Sequence, residues 1–544
     1  MLTGTRLRWI AVAALAGQGI GDLAMAQVNS AQRLAVPLPE IPDQEVAAAY
    51  ERAAVQNVLA AVNPKVFFGY WSVCADGQGF GYGNTYPSLD GHQMTDALLW
   101  LDQVEVVKAN WDYVRSFQRP SGLLPLAIFP AAAKTKPAPG ALPGAGQDNG
   151  GLYQHWVPGN PLAALAGPTY IQNADVIYRH TLDRAWLAAQ IKSVNLAADY
   201  LASLISEQGA VKGAGYYVER PTRIESDGVA QCYAVDAFRR IAALNRVLAD
   251  EPAARRYDDL AERIQKTFVT RFWVKDHFAE YLHPQRGLIA THGLTDVDWA
   301  ALATGIATPE QRAILWPQLR NEERFHYGGM PTGIATRPET YEPWEFSHPD
   351  RHDLAAMGRV WYLEAWARAQ MGDAPGLLGG LRKVSETGRA SGYFWRERYH
   401  PDGKGGATPA GAQRYCEYPA NLIRIVQRFL FGVDLRLDGS LVLAPTATDE
   451  FWQRGFGQTL AWSGRKLSYR MQRERAAGTY SGTTPLRLGL RFPSGAAPLP
   501  LRASIGGRPA ETLRQGDLVF VTLPAAKDRE PCPFEVTLYR GADR

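Results

Sequence analysis

The spacing of apolar residues changes once along the 544-residue chain, close to Gly432. Before this point apolar residues recur at helical spacing from about residue 43 to residue 431, as at Phe238, Ile241, Leu244 and Leu248. After it they alternate with polar residues, as at Leu486, Leu488 and Leu490. A period near 3.6 indicates amphipathic helices and a period of two indicates half-buried strands, so the sequence predicts a long helical domain followed by a β domain.

The helical part divides into about eleven segments over about 390 residues, separated by alternating short and long loops. Thr308-Pro309-Glu310-Gln311 has the form of a capping box with proline at the first helical position. We predict antiparallel hairpins, six of which close an (α/α)6 toroid barrel over residues 46–431. Residues 432–544 are predicted to form a C-terminal antiparallel β-sandwich. Residues 131–151, rich in Ala, Pro and Gly, are a long loop within the barrel.

The first 26 residues have the pattern of an export signal. Arg6 and Arg8 precede a short apolar run, and Ala24-Met25-Ala26 matches a small-x-small cleavage site. We therefore expect a signal peptide at residues 1–26, an N-terminal extension at 27–45, and a periplasmic or secreted protein. The apolar run is shorter than the roughly 20 residues of a membrane span, and no later segment qualifies, so the mature chain is predicted to lack an integral membrane segment.

Composition narrows the class of partner. The net charge is only +4 and no run of Lys or Arg interrupts the sequence, so nucleic acid is not an expected partner. The 15 Trp and 24 Tyr supply rings that fill a core or stack on sugars. Four cysteines are too few and too scattered for a disulfide scaffold or a zinc site, although an exported protein leaves open a bridge between Cys232 and Cys416. We predict no metal and no cofactor.

Two acidic loops precede helices in the first half of the chain. Tyr86, Asp90 and His92 lie in a Gly-bounded loop suited to binding sugar hydroxyls. The alternative is that Asp90 or Thr95 caps the following helix. Glu225 and Asp227 stand just before a helix that begins near residue 230, where the helix dipole favours an ionised carboxylate. An N-cap is the plain alternative for Asp227.

A third acidic loop covers residues 341–353. Trp344 and Glu345 are followed by His348 and His352. Prolines and the loop setting spoil the helical register that a metal-binding pair at this spacing requires, so we favour sugar binding by Trp344 and Glu345.

The fourth region joins two segments near the end of the helical part. Trp395 and Arg396 are candidates for holding a sugar, whereas Glu397 lies between two arginines and is read as an ion-paired structural acid. Glu417 lies among aromatic residues immediately before a helix. It is the better candidate for a catalytic base.

Paired carboxylates are what hydrolysis of a glycosidic bond by inversion requires. One carboxylic acid donates a proton to the leaving oxygen, and one carboxylate activates water. The two groups lie about 6.5–9.5 Å apart. The four loops supply such groups from distant parts of the chain.

At these residues the chain resembles the six-hairpin glycosidases, which include trehalases, bacterial α-L-rhamnosidases and glucosidases related to mannosylglycerate hydrolase. In trehalase-like members the general acid lies in a loop of the form Glu-Ser-Gly-x-Asp before a helix, and Glu225-Ser226-Asp227-Gly228 is similar but shorter. The resemblance implies either Glu225 or Asp227 as the acid, with Asp227 favoured. The base of the family precedes the last barrel helix, which matches Glu417. The loop around Asp90 is similar to the acidic loop of the rhamnosidases, which makes Asp90 a rival acid.

The sequence thus predicts an exported glycoside hydrolase that inverts configuration and acts on an oligosaccharide or glycoside. Two alternatives stay open. A polysaccharide lyase on a similar toroid would use Tyr or His beside an Arg that neutralises a uronate. A non-catalytic glycan-binding protein would keep the barrel without the chemistry.

Overall fold

A computed structural model provides the structure of the protein. It describes residues 36, 38–62, 71–75, 89–125, 163–213, 226–321, 325–326, 329–345, 354–402, 404, 406–493, 501–526 and 530–539. The predicted signal peptide, most of the N-terminal extension and the loop at 131–151 lie outside these residues.

Twelve α-helices precede Gly432 in the described residues, and a thirteenth lies in the tail. They are α1 (Gln44–Arg52), α2 (Leu89–Trp100), α3 (Val104–Arg115), α4 (Ala163–Thr181), α5 (Arg184–Ser203), α6 (Gly228–Val247), α7 (Glu251–Arg271), α8 (Asp296–Ala303), α9 (Pro309–Leu319), α10 (Gly358–Gln370), α11 (Ala374–Ala390), α12 (Glu417–Ile425) and α13 (Asp449–Arg454). A π-helical turn, Val426–Leu430, extends α12.

Local sequence explains where several of these helices begin. Asp43, Asp183 and Asp250 each accept a backbone N–H of the first turn, which satisfies a donor that the helix leaves unpaired. The capping box predicted for α9 is confirmed, since Thr308 and Gln311 each accept the backbone N–H of the other.

Alternate helices form a closed cycle of contacts. Among the described helices, α2 packs on α4, α4 on α6, α6 on α8, α8 on α10, α10 on α12, and α12 again on α2. The remaining helices lie outside this cycle: α3 packs on α2 and α4, α5 on α4 and α6, α7 on α6, α9 on α8, α11 on α10, and α1 on α11 and α12. The sequence therefore alternates between an inner and an outer helix.

Short strands occupy the connections that lead into inner helices. They are β1 (Ser226–Asp227), β2 (Trp273–Val274), β3 (His277–Phe278), β4 (Tyr281–His283), β5 (Gly287–Ile289), β6 (Ala356–Met357), β7 (Arg398–Pro401) and β8 (Ala407–Ala410). They pair as β1-β4-β5, β2-β3 and β6-β7-β8. Strand β1 ends at α6 and β6 ends at α10, so these small sheets fix the starts of two inner helices.

The tail consists of two larger sheets. Its strands are β9 (Val433–Leu435), β10 (Leu441–Leu443), β11 (Phe456–Trp462), β12 (Arg465–Gln472), β13 (Arg475–Ser481), β14 (Leu486–Arg491), β15 (Leu501–Ile505), β16 (Arg508–Pro509), β17 (Leu513–Gln515), β18 (Leu518–Leu523) and β19 (Cys532–Leu538). One sheet has the order β17-β18-β14-β10-β9 and the other β11-β12-β13-β19-β15-β16.

One pairing in the tail differs from the prediction. β10 and β14 run parallel, with Leu441 opposite Leu488, so the expectation of a wholly antiparallel tail is wrong for this pair. Forty-two residues, 444–485, separate the two strands, which gives the chain the length that a parallel crossover needs. Alternation along the sequence reports burial, and carries no information on the direction of the partner strand.

One apolar core runs through both parts, and the largest fully buried side chains include Trp71, Trp299, Trp361 and Trp395. All four cysteines are free thiols, so the bridge between Cys232 and Cys416 is not formed. No helix within the described residues is long and apolar enough to cross a membrane.

Candidate active site

Glu417 is the first residue of α12 and is buried against the start of α10. Arg359 contacts it three times: the backbone N–H donates to Oε1, Nε donates to Oε2 at 3.0 Å, and Nη2 donates to Oε2 at 2.7 Å. Gly358 permits this approach, because a Cβ at that position would lie 3.0 Å from Cγ of Glu417. A carboxylate and a guanidinium are thus fixed together where two inner helices begin.

Asp90 joins the same cation from a third inner helix. Its Oδ1 lies 3.7 Å from Nη2 of Arg359, the nitrogen that also contacts Glu417. The first turns of α2, α10 and α12 therefore meet at one guanidinium. The sequence prediction placed Asp90 and Glu417 in one site, and the structure brings them together.

Burial and the charge of Arg359 act in opposite directions on this cluster. Burial raises the pKa of Glu417 above its ordinary value, and Arg359 counteracts it. Burial also acts to lower the pKa of Arg359, but Glu417 and Asp90 hold that pKa well above its usual range. The guanidinium stays charged and its two carboxylates are its counter-ions.

Tyr415 and Glu397 complete the surroundings of these carboxylates. Burial, together with the charges of Asp90 and Glu397, raises the pKa of the Tyr415 phenol well above its usual range. Glu397 pairs with Arg398 and accepts the backbone N–H of Ala412 at 2.9 Å. Its ion pair agrees with the structural role read from the sequence, yet its charge faces the same tyrosine as Asp90 does.

Asp227 lies at the start of a different inner helix. Its Oδ1 accepts the backbone N–H of Ala230 at 2.9 Å, so it is the N-cap of α6, and it is fully buried. Through β1 it lies opposite Tyr281 of β4. The N-cap interpretation is therefore correct for Asp227, whereas Glu225 lies outside the described residues.

Tyr281, which lies opposite Asp227, belongs to a cluster in which a buried histidine lies between two glutamates. His292 Nε2 is 3.0 Å from Oε1 of Glu345 and 3.6 Å from Oε2 of Glu280. Tyr281 donates to Glu345 at 2.5 Å and Tyr341 donates to Glu280 at 2.8 Å. Burial opposes ionisation of Glu345, but the hydrogen bonds from His292 and Tyr281 outweigh it and lower the pKa of this carboxyl.

Trp344 is the partly exposed aromatic residue beside this cluster. The guanidinium of Arg286 lies 4.1 Å from its ring centroid, and His283 meets the ring edge-on at 5.2 Å. A ring with one face covered by a cation and some surface open is compatible with sugar stacking.

Three other predicted residues stand apart from these clusters. His92 is buried between α4 and α12, where Nδ1 lies 2.7 Å from Oδ1 of Asn173 and Arg424 lies 3.2 Å from Nε2. Burial lowers its pKa to about 3, so this ring is neutral. Trp395 is fully buried and donates Nε1 to the carbonyl of Val384, so its prediction as a sugar contact is wrong. Arg396 donates to the carbonyl of Gly411, and Tyr86 lies outside the described residues.

The sequence reasoning missed three residues of these clusters: Arg359, Glu280 and His292. A signal existed for Arg359, since it is the only charged residue between Ala355 and Leu363 in an otherwise apolar and aromatic run. A buried charge needs a partner, and that need points to an acid in another segment. The sequence has no comparable signal for His292, because its loop reads as an ordinary polar connection.

Comparison with known proteins agrees with the helical architecture. The family model of the bacterial α-L-rhamnosidase six-hairpin glycosidase domain matches residues 143–340. The predicted resemblance to six-hairpin glycosidases is therefore confirmed, and this part of the chain is homologous to glycoside hydrolases. No curated protein sequence matches the chain.

Solved structures of rhamnosidases share the fold at low identity. An α-L-rhamnosidase from Dictyoglumus thermophilum is 10% identical with a TM-score of 0.59, over 92% of this chain and 51% of that one. A family GH78 rhamnosidase of Bacillus sp. GL1 is 12% identical with a TM-score of 0.60, over 85% of this chain and 43% of that one. A Streptomyces avermitilis α-L-rhamnosidase in complex with L-rhamnose is 12% identical with a TM-score of 0.51, over 92% and 42%. The chain spans about half the length of these structures or less.

Proposed function

We propose that the protein is an exported glycoside hydrolase, periplasmic or secreted, that acts by inversion on terminal α-L-rhamnosides. The helical part is proposed to be an (α/α)6 toroid and the tail a β-sandwich. The closed cycle of α2, α4, α6, α8, α10 and α12 and the two sheets after Gly432 support this architecture. The proposed sugar rests on the rhamnosidase family model and on the three rhamnosidase structures.

The observation that carries the proposal is the Asp90–Arg359–Glu417 cluster. Arg359 contacts Glu417 at 2.7 Å and favours its ionised form against the effect of burial, and an ionised carboxylate is what the base of an inverting pair has to be. The backbone and side-chain contacts fix its position. We assign Glu417 as the base that activates water.

The acid is proposed to come from the segment that carries Glu225 and Asp227. Asp227 is fully buried at the start of α6. The cluster of Glu280, His292 and Glu345 contacts Tyr281, which lies opposite Asp227 in β4, and with Trp344 it is suited to hold sugar hydroxyls. Asp90 is less suited to the acid's role, because the cationic guanidinium of Arg359 lies 3.7 Å from its Oδ1, whereas the acid of the pair has to be protonated.

Hydrolysis of aryl glycosides by the purified full chain tests the assignment. We expect release of the chromophore from an aryl α-L-rhamnoside and weaker or no release from aryl glucosides and galactosides. Glu417→Gln removes the negative charge at constant size, and we expect turnover to fall about 10²–10⁴-fold. NMR of the first product is expected to show the inverted anomer.

The matched variants Glu397→Gln and Glu417→Gln identify the carboxylate that acts as the base. Glu397→Gln changes a second buried glutamate that faces Tyr415 and is expected to keep most activity. Loss of turnover in Glu397→Gln with retention in Glu417→Gln would overturn the choice of base.

The variants Asp227→Asn and Glu225→Gln distinguish the acid, because only loss of the true acid is compensated by substrates with a good leaving group.

The Asp90–Arg359–Glu417 cluster does not favour the lyase alternative. Tyr415 is the tyrosine beside Arg359, and burial and the neighbouring carboxylates raise its pKa, which opposes a role as base. An unsaturated product absorbing in the ultraviolet would contradict the hydrolase proposal.

A further inference from the structure

A cavity lies between the inner helices and strand β9, away from Glu417. Its volume is about 240 Å³. Its charged lining consists of Asp96, Arg240, Arg424, Arg428 and Asp434, beside the polar residues His92, Gln172 and Gln370. We call it the arginine cavity. Glu417 is the first residue of α12. Arg424 lies in the last turn of the same helix, and Arg428 lies in the π-helical turn that follows it. The cavity therefore extends toward the opposite ends of the inner helices from the Asp90–Arg359–Glu417 cluster.

The charges of the described residues around this cavity do not cancel. Asp96 is fully buried and accepts from two guanidinium groups, Arg424 at 2.8 Å and Arg428 at 2.7 Å. One carboxylate thus forms ion pairs with two cations at the cavity. An unbalanced buried charge is costly unless a counter-ion approaches it.

The neighbouring ion pairs do not supply the missing negative charge. Arg240 pairs with Asp236 at 2.7 Å and with Asp175, and Asp175 also pairs with Arg179 at 2.9 Å. These two arginines and two aspartates balance each other. Asp434 also lines the cavity, but its side chain is half exposed and it has its own partner, Arg436, at 3.2 Å. His92 is neutral, so it leaves the excess at Asp96 unchanged.

Polar atoms of the cavity lining also lack partners. Arg428 uses Nε and Nη2 on Asp96, and no described residue accepts from its Nη1. Gln172 is 3% exposed and donates Nε2 to Asp236 at 2.9 Å, while its Oε1 has no hydrogen-bond partner among the described residues. The cavity thus offers a cationic donor for an anion and an amide oxygen that requires a donor.

The apolar part of the lining is aromatic. Tyr233, Tyr362, Trp366 and Phe429 line the cavity, and Arg424 stacks over the Tyr362 ring at 3.8 Å. Aromatic faces contact the C–H surfaces of a sugar ring, which inorganic anions lack. The volume is below the roughly 300 Å³ at which drug-sized sites begin, so the occupant has to be small.

We propose that the arginine cavity binds a monosaccharide-sized sugar acid. The carboxylate of the ligand neutralises the excess charge of Arg424 and Arg428, and one of its hydroxyl groups donates to Gln172 Oε1. This inference does not depend on hydrolysis at Glu417. It adds a separate binding site on the same inner helices.

Calorimetric titration of the full chain with D-galacturonate tests the proposal, with D-galactose and inorganic sulfate as comparison ligands. We expect galacturonate to bind, and galactose and sulfate to bind at least about 10-fold more weakly, because each lacks one of the two contacts. Equal binding of galactose would show that the charge plays no part. Equal binding of sulfate would show that Gln172 and the aromatic lining play none.

Variants locate the binding. Arg428→Met leaves Asp96 with Arg424 alone, a balanced pair, and is expected to weaken galacturonate binding about 10-fold or more without unfolding the protein. Gln172→Glu is nearly isosteric, adds a negative charge and is expected to have the same effect. Arg454→Met, at an exposed ion pair of the tail, is the matched control.

Glu417→Gln separates this site from the proposed active site. It is expected to leave galacturonate binding unchanged, whereas loss of binding in this variant would place the ligand at the Asp90–Arg359–Glu417 cluster instead. Unchanged binding in Arg428→Met and Gln172→Glu would refute the proposal. So would a complete failure of galacturonate to bind, since the helix C-termini would then be sufficient to balance the excess charge.

Discussion

Replacing Arg359 by Met tests the central cluster directly. Arg359 is 6% exposed and is the cation shared by Glu417 and Asp90. Methionine keeps much of the volume and removes the charge, which leaves two buried carboxylates without their counter-ion. Breaking a buried pair by removing one partner costs about 3–5 kcal/mol.

The expected change in Tm follows from the size of the helical part. With about 2.1 cal/mol/K of unfolding entropy per residue over about 390 residues, this cost lowers Tm by roughly 4–6 °C. Differential scanning calorimetry at neutral pH measures it. The double variant Arg359→Met/Glu417→Gln is expected to recover part of the loss, because a neutral amide no longer needs the cation.

The pH dependence of Arg359→Met provides the decisive control. Burial raises the pKa of Glu417 even beside Arg359, so removal of the cation raises it further. A carboxyl whose pKa is higher in the folded state than in the unfolded state destabilises the protein as pH rises through that interval. The Tm deficit of Arg359→Met is therefore expected to shrink on acidification. A deficit below about 1 °C, or one independent of pH and of Glu417→Gln, would refute the buried ion-pair reasoning.

Two further predictions concern stability. Gly432→Ala is expected to destabilise the folded protein strongly, because φ is +63° and the new Cβ would lie 2.1 Å from the backbone of Ala444. Gly464→Ala is the matched control, because φ is +70° and no atom lies near the new Cβ. Calorimetry should show that the control loses only about 1–2 kcal/mol of unfolding free energy. His180 is buried edge-on to Trp100 and burial lowers its pKa to about 3, so its contribution to stability is present above about pH 6.5 and is lost as pH falls toward 3. His180→Phe should flatten the Tm-against-pH curve over that interval, and a slope unchanged from that of the wild-type protein would contradict this. His283→Gln, at a partly exposed histidine, serves as the control.

Periodic patterns in the sequence predicted the architecture, because the spacing of apolar residues depends directly on which faces of helices and strands are buried. Such local patterns predicted the change of period near Gly432, the capping box at Thr308 and the start of α12 at Glu417. The parallel pairing of β10 with β14 could not be predicted, since the alternation of apolar and polar residues is the same for parallel and antiparallel strands. Trp395 was misplaced for a similar reason: composition does not distinguish a ring in the core from a ring in a cleft.

The candidate site shows the same division. Individual acids close to helix starts were recognisable, so Asp90, Asp227 and Glu417 were singled out. The loop expected at Asp90 and His92 is wrong, because both residues lie in the first turn of α2. Their grouping was not predictable. Asp90 and His92 are two residues apart in sequence, yet Asp90 joins Arg359 at the start of the helices while His92 faces Asn173 and Arg424 in the interior.

The sequence by itself determined that the chain forms a helical domain followed by strands, because burial periodicity and capping act over a few neighbouring residues. Only the tertiary structure decided that Glu417 and Asp90 share Arg359, and that Asp96 carries two arginines at the far ends of the same helices. Such pairings join segments up to hundreds of residues apart. They depend on the order in which helices pack around the cycle, and local spacing contains no record of that order.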